Sequence, residues 1–108
     1  MNNQVIIWGV DDFNTLGLMR ELGQGDLHLF FLIKGRRGMA SRSRYCQKYE
    51  VTQNADEGYQ YLMNLDTDPN CKPIIITNSD EISVLIDKCK TELETKFIIP
   101  CTRQQGLL

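Results

Sequence analysis

Three short stretches hold most of the residues that could do chemistry. The first is Gly9-Val10-Asp11-Asp12-Phe13-Asn14-Thr15-Leu16-Gly17. A glycine ends an apolar run there and a helix is expected to start, so free amides at the helix start could bind an anion. Asp11 and Asp12 put negative charge where a pyrophosphate would lie, which suits an ammonium or a hydroxyl better. The spacing is not G-x-G-x-x-G, so the dinucleotide fingerprint is absent. The plainer alternative is a turn whose acids complement the helix dipole. The second stretch is Lys34-Gly35-Arg36-Arg37-Gly38-Met39-Ala40-Ser41-Arg42-Ser43-Arg44-Tyr45. It carries five of the chain's twelve Lys and Arg and no acid. Clustered guanidinium groups suit carboxylates or phosphates through paired hydrogen bonds. A solvated basic loop or a domain-docking surface is the alternative. The third is Thr77-Asn78-Ser79-Asp80-Glu81, a set of donors and acceptors that also reads as a helix cap.

Other chemistry finds little support. His28 lies inside an apolar run and reads as a packed or edge histidine. No Ser/His/Asp or Cys/His set is visible around it. The cysteines at 46, 71, 89 and 101 form no C-x-x-C pair. They read as reduced cytoplasmic thiols packed as small hydrophobes, not as a metal site. No catalytic residue and no metal ligand is assigned.

These loops need a scaffold, and strand-like and helix-like stretches alternate as in an α/β fold with a parallel sheet. Gln4–Trp8 reads as a buried strand, with Trp8 in the core. Asn14 is expected to cap a helix over Thr15–Leu22, stopped by Gly23. Leu27–Ile33 is a second strand. Residues 34–48 read as a long loop with at most a short helical turn, and Tyr49–Thr52 as a short third strand whose exposed edge could pair. Asn54 and Glu57 have capping-box spacing before a helix over Ala55–Leu65. Pro73–Thr77 is a fourth strand. Asn78 and Glu81 repeat the cap spacing before Ile82, Leu85, Ile86 and Cys89, one apolar helix face. That helix is expected to fray or restart near Lys90–Lys96. Phe97–Ile99 is a fifth strand, stopped by Pro100. The expected sheet is five-stranded, mostly parallel, in the order 3-2-1-4-5. The three loops then converge where that order reverses, at the carboxyl ends of the strands, the usual ligand position in open α/β sheets.

With 108 residues, 42% apolar and 24% charged, the chain fits one globular domain. No apolar run approaches the ~20 residues of a membrane span. Met1-Asn2-Asn3-Gln4 lacks the basic start of a signal peptide. A net charge of -2 gives no whole-protein basic field, so nucleic acid is not an expected partner. Val10-Asp11-Asp12 is similar to the acidic pair of a response-regulator receiver. A receiver also needs an aspartate closing the third strand and a lysine closing the fifth, and Val51-Thr52-Gln53 and Ile99-Pro100-Cys101 supply neither.

A closer resemblance runs through the three loops. Gly9 through Gly17 with Leu22-Gly23, then Ser43-Arg44-Tyr45, then Lys72-Pro73-Ile74-Ile75-Ile76-Thr77-Asn78-Ser79-Asp80-Glu81 continuing to Phe97-Ile98-Ile99-Pro100, occur in this order. Together they resemble the N-terminal, pre-ATP-grasp domain of ATP-grasp carboxylate–amine ligases. The nearest kinds are D-aspartate ligase-like and carbamoyl-phosphate synthase large subunit-like members. The resemblance spans about residues 4–102. It implies a Rossmann-like three-layer α/β/α domain over 1–102, with 103–108 beginning the linker to an ATP-grasp region. It also implies a parent ligase that uses ATP and magnesium to make an acyl phosphate, which an amine then attacks. ATP and magnesium would sit mainly in the domains that follow. The expected partners are those ATP-grasp domains and a small acidic or amino-acid substrate. Gly9, Asp12, Asn14, Arg42, Ser43, Arg44, Tyr45, Ser79 and Asp80 are the substrate-side residues it suggests. The chain departs from the family at Val10, where a second glycine is usual. The family's lysines, phosphate lid and Glu/Asn metal pair would lie beyond Leu108, so the chain is expected to be a fragment not competent alone. The alternatives are a stand-alone module binding a nucleotide or phosphorylated metabolite, and a non-catalytic interaction domain.

Overall fold

The computed structural model describes residues 3–22, 27–67, 70–77 and 79–99. Gly23, Asn78, Pro100, Cys101 and the expected linker 103–108 lie outside the described residues. β1 (Asn3–Gly9) is followed by α1 (Phe13–Leu22), β2 (Leu27–Lys34), a 3-10 turn (Ala40–Arg42) and β3 (Lys48–Thr52). Then come α2 (Ala55–Met63), β4 (Ile74–Ile76), α3 (Asp80–Lys88) and α4 (Lys90–Glu94).

Every strand pair is parallel, and the order is β3-β2-β1-β4. The expected α/β class and the 3-2-1-4 part of the order hold. The expected fifth strand does not. Lys96 N–H and Phe97 N–H both still donate to Leu93 O, so this stretch remains in the turn that ends α4. Phe97 is drawn into the core, and only Ile98 reaches the sheet, through one parallel bridge to Ile74.

Side chains alternate across the sheet and build two cores. Ile6, Trp8, Phe30, Leu32 and Ile75 face α2, α3 and α4, whose Leu62, Ile82, Ile86 and Leu93 complete one core. Val5, Ile7, Leu29, Phe31 and Ile33 face α1 and the 3-10 turn, where Met19 and Ala40 close the other. The layers are therefore α/β/α, but the second helical layer is thin. The β2–β3 connection supplies one 3-10 turn instead of a helix, so Tyr49 and Val51 on that face of β3 stay 37% and 43% exposed.

Three helix starts show how the caps work. α2 begins as expected: Asn54 Oδ1 accepts the Glu57 N–H at 2.8 Å. α1 begins two residues earlier than expected, and its cap is Asp12, not Asn14. Asp12 N–H and Thr15 Oγ1 both donate to Val10 O, at 3.0 and 2.7 Å. That tight turn sets Asp12 Oδ1 3.0 Å from Thr15 N. At α3 the cap is Ser79, whose hydroxyl accepts from Ile82 N. α2 also ends at Met63, short of the expected Leu65, and α4 is the restart expected after Cys89.

Trp8 is fully buried, and Gly58 of α2 lies against it. A Cβ on Gly58 would come within 2.6 Å of Trp8 Nε1. Among the described residues that indole nitrogen has no hydrogen-bond partner. The reading of the cysteines as buried hydrophobes fails at Cys71, which is exposed; Cys46 and Cys89 are half-buried. Cys71 follows the α2–β4 turn, outside both cores, so no apolar face covers it.

Candidate functional site

The carboxyl ends of β1, β2 and β4 carry the three loops, and side chains tie the loops together. Asp11 Oδ2 accepts N–H groups from Gly38 and Ser41 at 2.5 and 3.1 Å, and Oδ1 accepts from Ala40 at 2.6 Å. Gly38 is needed for this close approach, because a Cβ there would stand 2.7 Å from Asp11 O. Ser41 Oγ donates to Gly38 O and accepts from Arg37 Nε, which tightens the same turn. Burial raises the Asp11 carboxyl's pKa, but the Ser41 hydroxyl and the three amides together outweigh it, and the net shift is downward. Lys34, ending β2, pairs with Glu81 in the first turn of α3 at 2.5 Å. This joins the second loop to the third.

The residues singled out from the sequence divide into two places. Gly9 ends β1, buried beside Ile33. Asp12 caps α1, Asn14 lies exposed on its first turn, Ser79 caps α3, and Asp80 is exposed beside it. All five are at the carboxyl edge. Arg42 directly follows Ser41, whose N–H Asp11 holds, so it starts at that edge too, while Ser43, Arg44 and Tyr45 lead away from it. By residue 47 the chain has crossed the depth of the sheet, since Gln47 N–H donates to Leu29 O near the start of β2. Tyr45 packs on the α1-side core, and its hydroxyl accepts from Arg44 Nη2 at 3.2 Å. That hydrogen bond and the Arg44 charge draw the Tyr45 hydroxyl below its ordinary pKa, with a smaller pull from Arg20 in the last turn of α1. Ser43 Oγ accepts from Tyr45 N and shapes a local turn. The basic loop is thus partitioned. Lys34, Arg36 and Arg37 stay near the carboxyl edge, while Arg44 and Tyr45 lie along the α1 face.

Asp11, Lys34, Gly38 and Glu81 are the residues whose importance the sequence hid. Arg37 belongs with them, since its guanidinium lies 4.2 Å from the Tyr49 ring centroid. Nothing in the spacing links Asp11 to positions 27 to 30 residues away. The one available signal was the pairing of a lone acidic turn with a Gly-rich basic loop.

A cavity of about 340 Å³ lies at the opposite, amino edge of the sheet, between β-strand residues Gln4, Phe30 and Lys48 on one side and Tyr61 of α2 with Asp66 beyond that helix on the other. A shallower concavity of about 260 Å³ adjoins it past His28, whose Nδ1 is 3.0 Å from Gln47 Oε1. His28 is exposed at the amino end of β2 and is not packed in either core. The cavity's charges, Lys48 and Asp66, are opposite in sign, which does not favour a phosphate there.

Both acids of the first loop are committed to main-chain amides. Asp11 accepts three amides and Asp12 caps α1. Among the described residues no three His, Cys, Asp or Glu side chains cluster as a metal site, and no helix is long and apolar enough to cross a membrane. Comparison of the chain with family models, with curated proteins and with solved structures gives no match.

Proposed function

We propose that this chain is the N-terminal, substrate-side domain of an ATP-dependent carboxylate–amine ligase that works through an acyl phosphate. One observation carries the reading. Three loops at the carboxyl ends of β1, β2 and β4 are tied to one another, by Asp11 to Gly38–Ser41 and by Lys34 to Glu81. They form one preorganised rim beside the reversal of strand order, where open α/β sheets receive ligands. The ordered resemblance of the loop residues to the pre-ATP-grasp domain supports the same reading. ATP and magnesium belong, on this reading, to domains that follow. The role of this chain is to present the acceptor side of a shared cleft. Arg36 is its best candidate for a substrate carboxylate. It is exposed where the chain leaves β2, and it bonds to no described residue. Arg44 is already stacked on Tyr45, down the α1 face.

The test begins with the source gene downstream of the Leu108 codon. The reading expects an open frame carrying an ATP-grasp lysine and a Glu/Asn metal pair. The encoded protein should then release phosphate from ATP when supplied with the right amino acid. Arg36→Ala should lower kcat/KM about tenfold, as loss of one charge-assisted contact does, while Arg44→Ala leaves it near wild type. A stop codon directly after Leu108 sinks the reading. A stand-alone small-molecule-binding module would then be the better account, favoured by the amino-edge cavity.

A further inference from the structure

β3 is the edge of the sheet, and its exposed side is ordered for pairing. The Gly35 N–H donates to Thr52 O at 2.8 Å, continuing the β2–β3 ladder past the Lys34↔Thr52 pair. Main-chain groups alternate along a strand. Lys48, Glu50 and Thr52 therefore turn their N–H and C=O toward β2, while Tyr49 and Val51 turn theirs outward. Among the described residues no loop or helix donates to or accepts from those outward groups.

Charge is just as ordered. Lys48 and Glu50 pair with Phe30 and Leu32, which face the α2-side core, so both charges lie on that face. Tyr49 and Val51 pair with Phe31 and Ile33 and lie on the other. Neither Lys48 nor Glu50 forms an ion pair with a described residue; Lys48 Nζ only hovers 5.7 Å from the Phe30 ring centroid.

We infer that two copies of this chain join β3 to β3 in antiparallel register about a two-fold axis at Tyr49, with Lys48 of each copy opposite Glu50 of the other. Three symmetric registers centred inside β3, away from its end residues, set outward groups against outward groups. Centring on Glu50 places two carboxylates in a non-hydrogen-bonded pair, where side chains approach most closely. Centring on Val51 sets Glu50 against Thr52 and leaves both charges without a cross-strand partner. Centring on Tyr49 makes Tyr49–Tyr49 the hydrogen-bonded pair and turns both neighbouring pairs into Lys–Glu contacts, which are favourable across strands. The result is a continuous eight-stranded sheet with an isologous interface. An edge strand guarded only against aggregation needs charge of either sign. Opposite signs two residues apart on one face give self-complementarity as well. The inference stands on β3 alone and is independent of the ligase reading, so failure of the phosphate-release assay leaves it untouched.

Sedimentation equilibrium of the 108-residue chain over a wide concentration range tests it, with circular dichroism to confirm folding of each variant. The wild type should show a reversible monomer–dimer equilibrium. Lys48→Glu and Glu50→Lys should each weaken the dimer about tenfold or more, since two attractive pairs become repulsive. The double variant Lys48→Glu/Glu50→Lys should restore it to within a few-fold. Tyr49→Pro removes an outward N–H without touching the β2 ladder, and should give a folded monomer. A wild type monomeric throughout overturns the inference. So does a dimer indifferent to the single reversals, one not rescued by the double variant, or one that survives Tyr49→Pro.

Discussion

Asp11 turns both carboxylate oxygens toward main-chain amides, and this changes what kind of residue it is. An acidic pair after the first strand reads as two ligands; in the fold one acid latches the second loop and the other caps α1. Asp11→Asn keeps the shape but surrenders the charge and one acceptor oxygen, and should cost on the order of 2 kcal/mol in urea unfolding. The folded carboxyl titrates below its ordinary value, so its contribution is complete above about pH 4 and fades as the pH falls through the lowered pKa. The urea midpoints of wild type and Asp11→Asn should therefore differ at neutral pH and converge in acid. A gap that persists in acid would mean that charge is not the source. Gly38→Ala should break the same latch by crowding Asp11 O, with a similar loss. Little of this was legible beforehand. Helix starts follow a local rule, yet Asn14 was a plausible cap until the Val10 turn gave that place to Asp12. A contact between Asp11 and Gly38 depends on how two loops fold back together, and no local rule carries it.

At the scale of elements, period and punctuation were good guides wherever neighbours agreed with them. α2 and α3 show one apolar face each, and both begin within two residues of their expected starts. Asn54→Ala should cost about 1 kcal/mol of stability, the usual worth of an N-cap, measured by thermal or urea unfolding. Gly58 tests the opposite intuition. Alanine is the better helix former by ~1 kcal/mol. Here its Cβ would meet the rigid, buried indole of Trp8 at 2.6 Å, so overpacking should win and Gly58→Ala should destabilise by about 1–2 kcal/mol. A gain in stability would show that α2 can slide away from the sheet at little cost. The fifth strand misled because Phe97–Ile99 has a strand's composition. What decides is that α4's final turn still holds the Lys96 and Phe97 amides, leaving Ile98 alone to reach β4. The polar run read as a loop over 34–48 is one from 35 to 47, with Lys34 ending β2 and Lys48 starting β3. Its consequence, a half-exposed face at Tyr49 and Val51 with the Arg37 guanidinium over Tyr49, emerged only from the sheet order.

For the whole molecule, the parallel order follows from alternation of strands and helices together with right-handed crossovers, and that much was readable. The grouping of site residues was not, because a loop's position along the chain does not say how deep into the layer it runs. Arg44 and Tyr45 end up along the α1 face, while Lys34, Arg36 and Arg37 stay at the carboxyl edge. The two cores are also unequal. One is closed by three helices, the other by α1, a 3-10 turn and the Asp11 latch. The thinner layer should open first. Limited proteolysis should cut between residues 34 and 47 before any other described segment, and Asp11→Asn should speed that cut several-fold through its ~2 kcal/mol loss. First cleavage within α2 or α3 would reverse this ranking.

Trp8 is the only tryptophan in the chain, and it sits wholly on the three-helix side of the sheet. It therefore works as a built-in optical reporter of one layer. Its fluorescence should stay that of a buried indole while the α1 layer opens and the basic loop is cut, and should change only when α2 leaves the sheet. A probe introduced on the α1 side would then resolve two separate transitions in a chain this small.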